Sequence, residues 1–271
     1  MSTTTIAPTA TRHGNYRMIG LVRSEWTKLR TVRSTLWTIG VIVVLGIGLS
    51  AIATAETTSH WATSPESHLG FDPTQTSLIG VAFAQLVIGI LGVLVVSAEY
   101  GTGTIRATLS AAPRRTRVLV AKSAVFGALA LVVSEAVSFI SYFLGQSLLT
   151  GATPHTTLGD PGALRAVVGS GLYLCVLGLF ALGLGTIIRH TAGAISAFVA
   201  ALLVLPLIVA ALPSSIGDHL RRFLPANIGN SISAVSSGPH QFAPWTGFAV
   251  LCIYALVALV IGGILLVRRD A

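Results

Sequence analysis

The sequence predicts an all-α integral membrane protein: six transmembrane helices, an N-terminal amphipathic interface helix and a short cytoplasmic helix between spans two and three. Three observations carry this. Of 271 residues, 53% are hydrophobic and only 10% charged, where a soluble domain carries about a quarter charged residues. The mean hydropathy is +0.81, and one soluble core cannot cover that much apolar surface. The apolar residues fall in long blocks, not heptads or triplets, which excludes a coiled coil, collagen and a disordered chain. The 28 glycines suit helices packed closely in lipid.

Residues 1–15 are Thr-rich and without periodicity, which predicts a disordered tail. Residues 16–34 read as an amphipathic helix. Ile19, Val22, Trp26 and Leu29 share one side, and Ser24, Thr27, Lys28 and Thr31 lie opposite. Such a helix rests on the inner leaflet with Trp26 at headgroup depth and Arg23 near anionic lipid. It anchors the first span, and docking of a partner protein is a second role for it. Residues 35–271 form a six-span domain, with spans at 36–55, 77–98, 123–149, 166–188, 192–212 and 246–267. Each is long enough for a hydrocarbon core of about 30 Å. The third exceeds that length and is expected to tilt or protrude. Pro206 removes a hydrogen bond from the fifth and is expected to kink it. No internal repeat supports an inverted-repeat carrier.

Orientation follows from the basic residues. Fourteen of the seventeen Lys and Arg fall in one set of connections, and Arg165, Arg221 and Arg222 fall in the other. The positive-inside rule then places both termini in the cytoplasm. Glu56, Glu66, Asp72, Asp160 and Asp218 make the outer face slightly acidic. Ala53-Thr54-Ala55 resembles a signal-peptidase site, but the block before it is longer than the about 7–15 residues of a signal core. The net charge of +8 does not point to nucleic acid, because the arginines flank apolar blocks and form no continuous stripe. Cys175 and Cys252 lie inside apolar runs, so small buried side chains and no disulfide are expected.

Catalytic chemistry is missing from the pattern. There is no phosphate-binding loop: Lys122-Ser123 follows Ala121 and no Gly-rich turn. No histidine pair has metal-ligand spacing. Ser170, between two glycines, has no histidine within the later apolar blocks to act as its base. The chain is therefore read as lacking a catalytic, cofactor or metal site of its own.

Four segments remain as candidates for function. In the connection 99–122, Thr102 or Thr104 can cap a short helix at 105–111 that Pro113 ends. Ile105 and Leu109 give it an apolar edge, with Arg106 between them, and Arg114, Arg115 and Arg117 follow at the membrane surface. This is either a lever that a cytosolic protein pushes or a turn with snorkelling arginines. In the third span, Glu135, Ser138, Tyr142 and Gln146 fall within about 60° on a helical wheel. A charge at that depth costs about 2.5–3.5 kcal/mol. The stripe is either the lining of a translocation path, to which Gln85 of the second span is added, or a set of packing hydrogen bonds. In the outer connection 213–244, the stretches 214–223 and 226–235 read either as two short helices lying at the outer interface or as an ordinary loop. The first carries Ile216, Leu220 and Phe223 on one side, and Pro225 opens the second. The interface helix at 16–34 is the fourth segment.

Four stretches carry a resemblance: SEWTKLRTVRSTLW at 24–37, AEYGTGTIRATLSAAPRR at 98–115, GLGTIIRHTAGAIS at 183–196 and LPANIGNSI at 224–232. In order and spacing the chain from 18 to 271 resembles ABC-2 type permease subunits of bacterial ATP-binding cassette transporters. The resemblance implies a multi-pass protein of the bacterial cell membrane in which two permease copies pair, here as a homodimer. Two copies of a separate ATPase subunit dock beneath and hold the ATP and Mg. It implies an ATPase-coupling interface formed by the N-terminal helix and the coupling helix of the 99–117 loop: Arg23, Trp26, Lys28, Glu99, Thr104, Ile105, Arg106, Leu109, Arg114 and Arg115. Glu99 matches a glutamate that family members commonly carry at the inner end of the second span. The function implied is export of an amphiphilic drug, antibiotic, lipid or peptide. A proton-coupled secondary transporter using Glu135 is the alternative. A non-transporting immunity or sensor protein is a third reading, which the lever counts against.

Overall fold

A computed structural model of the chain describes residues 18–63, 70–105, 115–151, 153–235 and 241–269. The expected tail at 1–15 lies outside the described residues, as do Arg106, Leu109 and Arg114 of the expected coupling helix. In chain order the helices are α1 (Met18–Thr31), α2 (Arg33–His60), α3 (Pro73–Ser77), α4 (Val81–Gly101), α5 (Arg115–Leu148) and α6 (Ala163–Ile188). There follow α7 (Thr191–Val199), a π-helical segment (Ala200–Val204), α8 (Leu205–Ala210), α9 (Ser214–Arg221), α10 (Pro225–Ser233) and α11 (Pro244–Arg269). Among the described residues, six helical stretches are long and apolar enough to cross a membrane: α2, α4, α5, α6, the continuous run α7 to α8, and α11. The chain is an all-α membrane protein.

The ends of these helices have local causes. Val32 is extended (φ −76°, ψ 113°) and separates α1 from α2. Its N–H still bonds the Lys28 carbonyl, and its own carbonyl accepts from Thr35 N. The result is an elbow of one residue. Before the second span, the expected start at 77 is instead a separate short helix. Asp72 caps α3 by accepting from Thr74 N at 2.9 Å and Gln75 N at 3.1 Å, with Pro73 in the first turn, where no N–H is needed. α5 begins at Arg115, earlier than expected. At 1.5 Å per residue it is about 51 Å long and extends well beyond a hydrocarbon core of about 30 Å. In the fifth span, the π-helical segment lies directly before Pro206. Proline lacks an N–H and crowds the carbonyl four residues back, and a π-bulge absorbs that mismatch.

α6 is the central helix. It packs against α4, α5 and α11 and buries Val167, Leu174, Leu177 and Leu182. Close approach needs small residues here: a Cβ on Gly92 of α4 would run into the Gly178 backbone carbonyl of α6. α6 ends at Arg189, a non-glycine residue in the left-handed region (φ 62°). Its guanidinium donates from Nη2 to the Leu265 carbonyl at 2.9 Å and lies 5.2 Å over the Tyr100 ring. Arg115 Nη1 donates to the neighbouring Leu266 carbonyl at 3.3 Å. Two arginines thus bind carbonyls near the C-terminal end of α11, where the helix dipole favours a cation. The same end of the bundle holds α1, the end of α4 and the start of α5.

The two short helices of the last long connection differ in burial. α9 leaves Ile216, Leu220 and Phe223 exposed, as an interfacial helix does. α10 is turned inward. It packs on α6 and α11 with Ile228 and Ile232 buried, and Arg165 of α6 donates to the carbonyls of Ala234 and Val235 just past its end. The two cysteines, Cys175 buried and Cys252 half-buried, are free.

Candidate functional site

Four charged residues of the bundle meet at one place. Glu25 and Lys28, three apart on α1, lie on the same helix face, as that spacing dictates. Glu99 comes from the last turn of α4, and Lys122 from the third turn of α5. Lys122 Nζ lies 2.6 Å from Glu25 Oε2 and 2.8 Å from Glu99 Oε1. Lys28 Nζ lies 2.7 Å from Glu25 Oε1 and 2.9 Å from Glu99 Oε1. The four groups close a ring of alternating charge in which each lysine touches both carboxylates. Lys122 also donates to the Val95 carbonyl at 3.3 Å.

Burial makes the ring consequential. The Lys122 and Glu25 side chains are 4% and 5% exposed, and Glu99 is 13% exposed. Charges so buried are stable only when paired, and two ammoniums against two carboxylates leave no net charge. Burial tends to lower the Lys28 pKa, but hydrogen bonds and attraction to Glu25 and Glu99 outweigh it and hold it above the ordinary lysine value. Beside the ring is a largely apolar cavity of about 480 Å³ between α1, α2, α4 and α5, walled by Leu29, Thr35, Leu91 and Val95.

The ring rotates α1 from its expected setting. The sequence pattern places Lys28 opposite an apolar stripe of Ile19, Val22, Trp26 and Leu29. In the structure Glu25, Lys28 and Leu29 face the bundle, while Ile19, Val22, Arg23 and Trp26 face outward. Thr104 and Ile105 are helical after Gly103, whose φ of +72° turns the chain out of α4. Ile105 is buried, and Thr104 Oγ1 shares a 2.9 Å hydrogen bond with Thr102 Oγ1.

A profile of ABC-2 family transporter proteins matches residues 21–205 of the 271. The chain belongs to the ABC-2 transporter family. It is a membrane permease of an ABC transporter, a component that is not itself an ATPase. No curated protein matches the chain. The match runs from α1 into α8 and includes all four residues of the charge ring.

The residues expected along a translocation path have different surroundings in this ABC-2 permease. Ser138 donates to the Val167 carbonyl at 2.6 Å, and Tyr142 donates to the Thr156 carbonyl at 3.0 Å. Gln146 donates to the Pro73 carbonyl and to Ser77 Oγ, and accepts from Thr156 N at 2.7 Å. These three side chains tie α5 to its neighbours. Glu135 stands apart. It packs on Gly171 of α6, and its Oε2 is buried with no hydrogen-bond partner among the described residues. Gln85 lines a different cavity, at the far end of the bundle from the ring.

Sequence reasoning missed Glu25 and treated Lys122 only as a decoy for a phosphate loop. One signal was available. Lys28 and Lys122 are the only lysines beside fifteen arginines, and both belong to the ring.

Proposed function

We propose that the chain is the membrane-spanning subunit of an exporter for an amphiphilic substrate, driven by ATP hydrolysed on a separate partner. Two permease copies and two ATPase copies make up the working assembly. The basic end of the bundle faces the cytoplasm, following the positive-inside rule. The partner docks on the outward face of α1, at Arg23 and Trp26, and on the segment after Gly103. Arg106, Leu109 and Arg114 contribute to that segment.

The observation that carries this reading is the charge ring. It binds α1 to the ends of α4 and α5, so a push on the surface helix reaches two spans directly. Glu99 also stands four residues before Gly103, where the chain leaves α4, so both contact zones converge on one carboxylate. A ring of short ionic hydrogen bonds has little slack. Nucleotide-driven closure of the partners then shifts the ends of α4 and α5 together and changes access to the interior.

The test is uncoupling in a reconstituted complex. The transported probe is whichever amphiphile, from a panel of dyes, most stimulates ATP hydrolysis. Arg106→Ala should keep assembly and ATP hydrolysis while losing transport of that dye, and Glu99→Gln should lose transport together with some stability. Normal transport in both variants would contradict the reading.

A further inference from the structure

The end of the bundle opposite the ring holds a second cavity, of about 460 Å³, within the size range of small-ligand sites. It lies between α3, α4, α6 and α10. Gln85 Oε1 accepts from the Tyr173 hydroxyl at 2.6 Å, which fixes that carboxamide and leaves its NH2 uncommitted. Gln75 and Asn230 also line the cavity, and neither carboxamide is hydrogen-bonded to another described residue. Three carboxamide-bearing residues from three elements therefore border one space.

The charge of the wall narrows the ligand. Asp72 is the ionisable carboxylate there, and its Oδ1 already caps α3. No lysine or arginine lines the cavity among the described residues, so nothing neutralises an anion. A carboxamide both donates and accepts, as does a hydroxyl, and the two match without transfer of charge. Phe71, set edge-on to Trp61 with centroids 4.8 Å apart, adds an aromatic surface. At Ile79 and Ala82 the wall is apolar and exposed, which suits an alkyl chain lying along α4.

We propose that this cavity binds the uncharged, hydroxyl-rich headgroup of an amphiphile, a sugar carried on an apolar chain. The inference concerns binding alone and stands independently of the ATPase partner.

The test is calorimetric titration of the full chain in lipid nanodiscs, with protein-free nanodiscs subtracted. The probes are hexyl β-glucoside, hexyl phosphate and hexyltrimethylammonium. The glucoside should bind saturably and about tenfold or more tighter than either ion, and Gln85→Leu and Asn230→Leu should each weaken it about tenfold. Asn230 is exposed, so its variant should melt as the unmodified protein does. Equal partition of all three probes with no effect of either leucine variant would overturn the proposal. So would strongest binding of the ammonium, abolished by Asp72→Asn, because the cavity would then read charge.

Discussion

Lys122 Nζ lies 2.6 Å from Glu25 Oε2, joining two residues ninety-seven positions apart. Both side chains are almost fully buried, so neither tolerates loss of the other. Removing one member of a buried pair costs about 3–5 kcal/mol, because the remaining charge is left without compensation. Lys122→Met should therefore sharply lower the melting midpoint of the permease in mild detergent. Combining it with Glu25→Gln should cost at least about 1 kcal/mol less than the two single losses together. Strict additivity in this double-mutant cycle would show that the pair is not coupled.

Gly92 and Gly178 set the spacing of α4 and α6. A methyl group at 92 meets backbone that cannot rotate away, and overpacking of this kind costs about 1–3 kcal/mol. Gly92→Ala should lower the melting midpoint. Gly127→Ala is the control, since its Cβ would come no closer than 3.5 Å, to Leu179, and alanine favours a helix by up to about 1 kcal/mol. Equal melting of the two variants would contradict the assigned packing.

Glu135 separates two energy sources. In an ATP-driven permease Glu135→Gln keeps the shape of the side chain and should retain at least about half the transport rate. A proton-coupled carrier would lose transport altogether. Dissipating the proton gradient in vesicles supplied with ATP gives the same discrimination, and an ATP-driven permease should continue to transport.

The six spans were legible because lipid demands long apolar runs, and those runs stand in the sequence without need of tertiary information. Their ends were less so. The elbow at Val32 involves neither glycine nor proline, and the extension of α5 back to Arg115 includes Arg115, Thr116, Arg117 and Lys122, which hydropathy counts against a span. A kink at Pro206 was expected from the sequence, and the π-helical segment before it was not. The largest miss was the inward face of α1. A periodicity reading turns charged residues to solvent, and nothing within residues 18–31 reveals that Lys122 will satisfy Glu25 from a different helix. The burial of α10 was hidden for a similar reason: Ile228 and Ile232 pack on residues of α6 and α11, far away in sequence. Gln85 was read only as a path residue and Gln75 was not singled out, because nothing local shows that α3 and α10 close around them.

The central claim is that a separate ATPase drives this permease, and the most direct measurement is affinity purification from native membranes in a mild detergent. One ATP-binding chain per permease should co-purify, and it should be lost when the outward face of α1 is changed by Arg23→Glu with Trp26→Ala. A permease that emerges intact with no ATP-binding chain would contradict the claim.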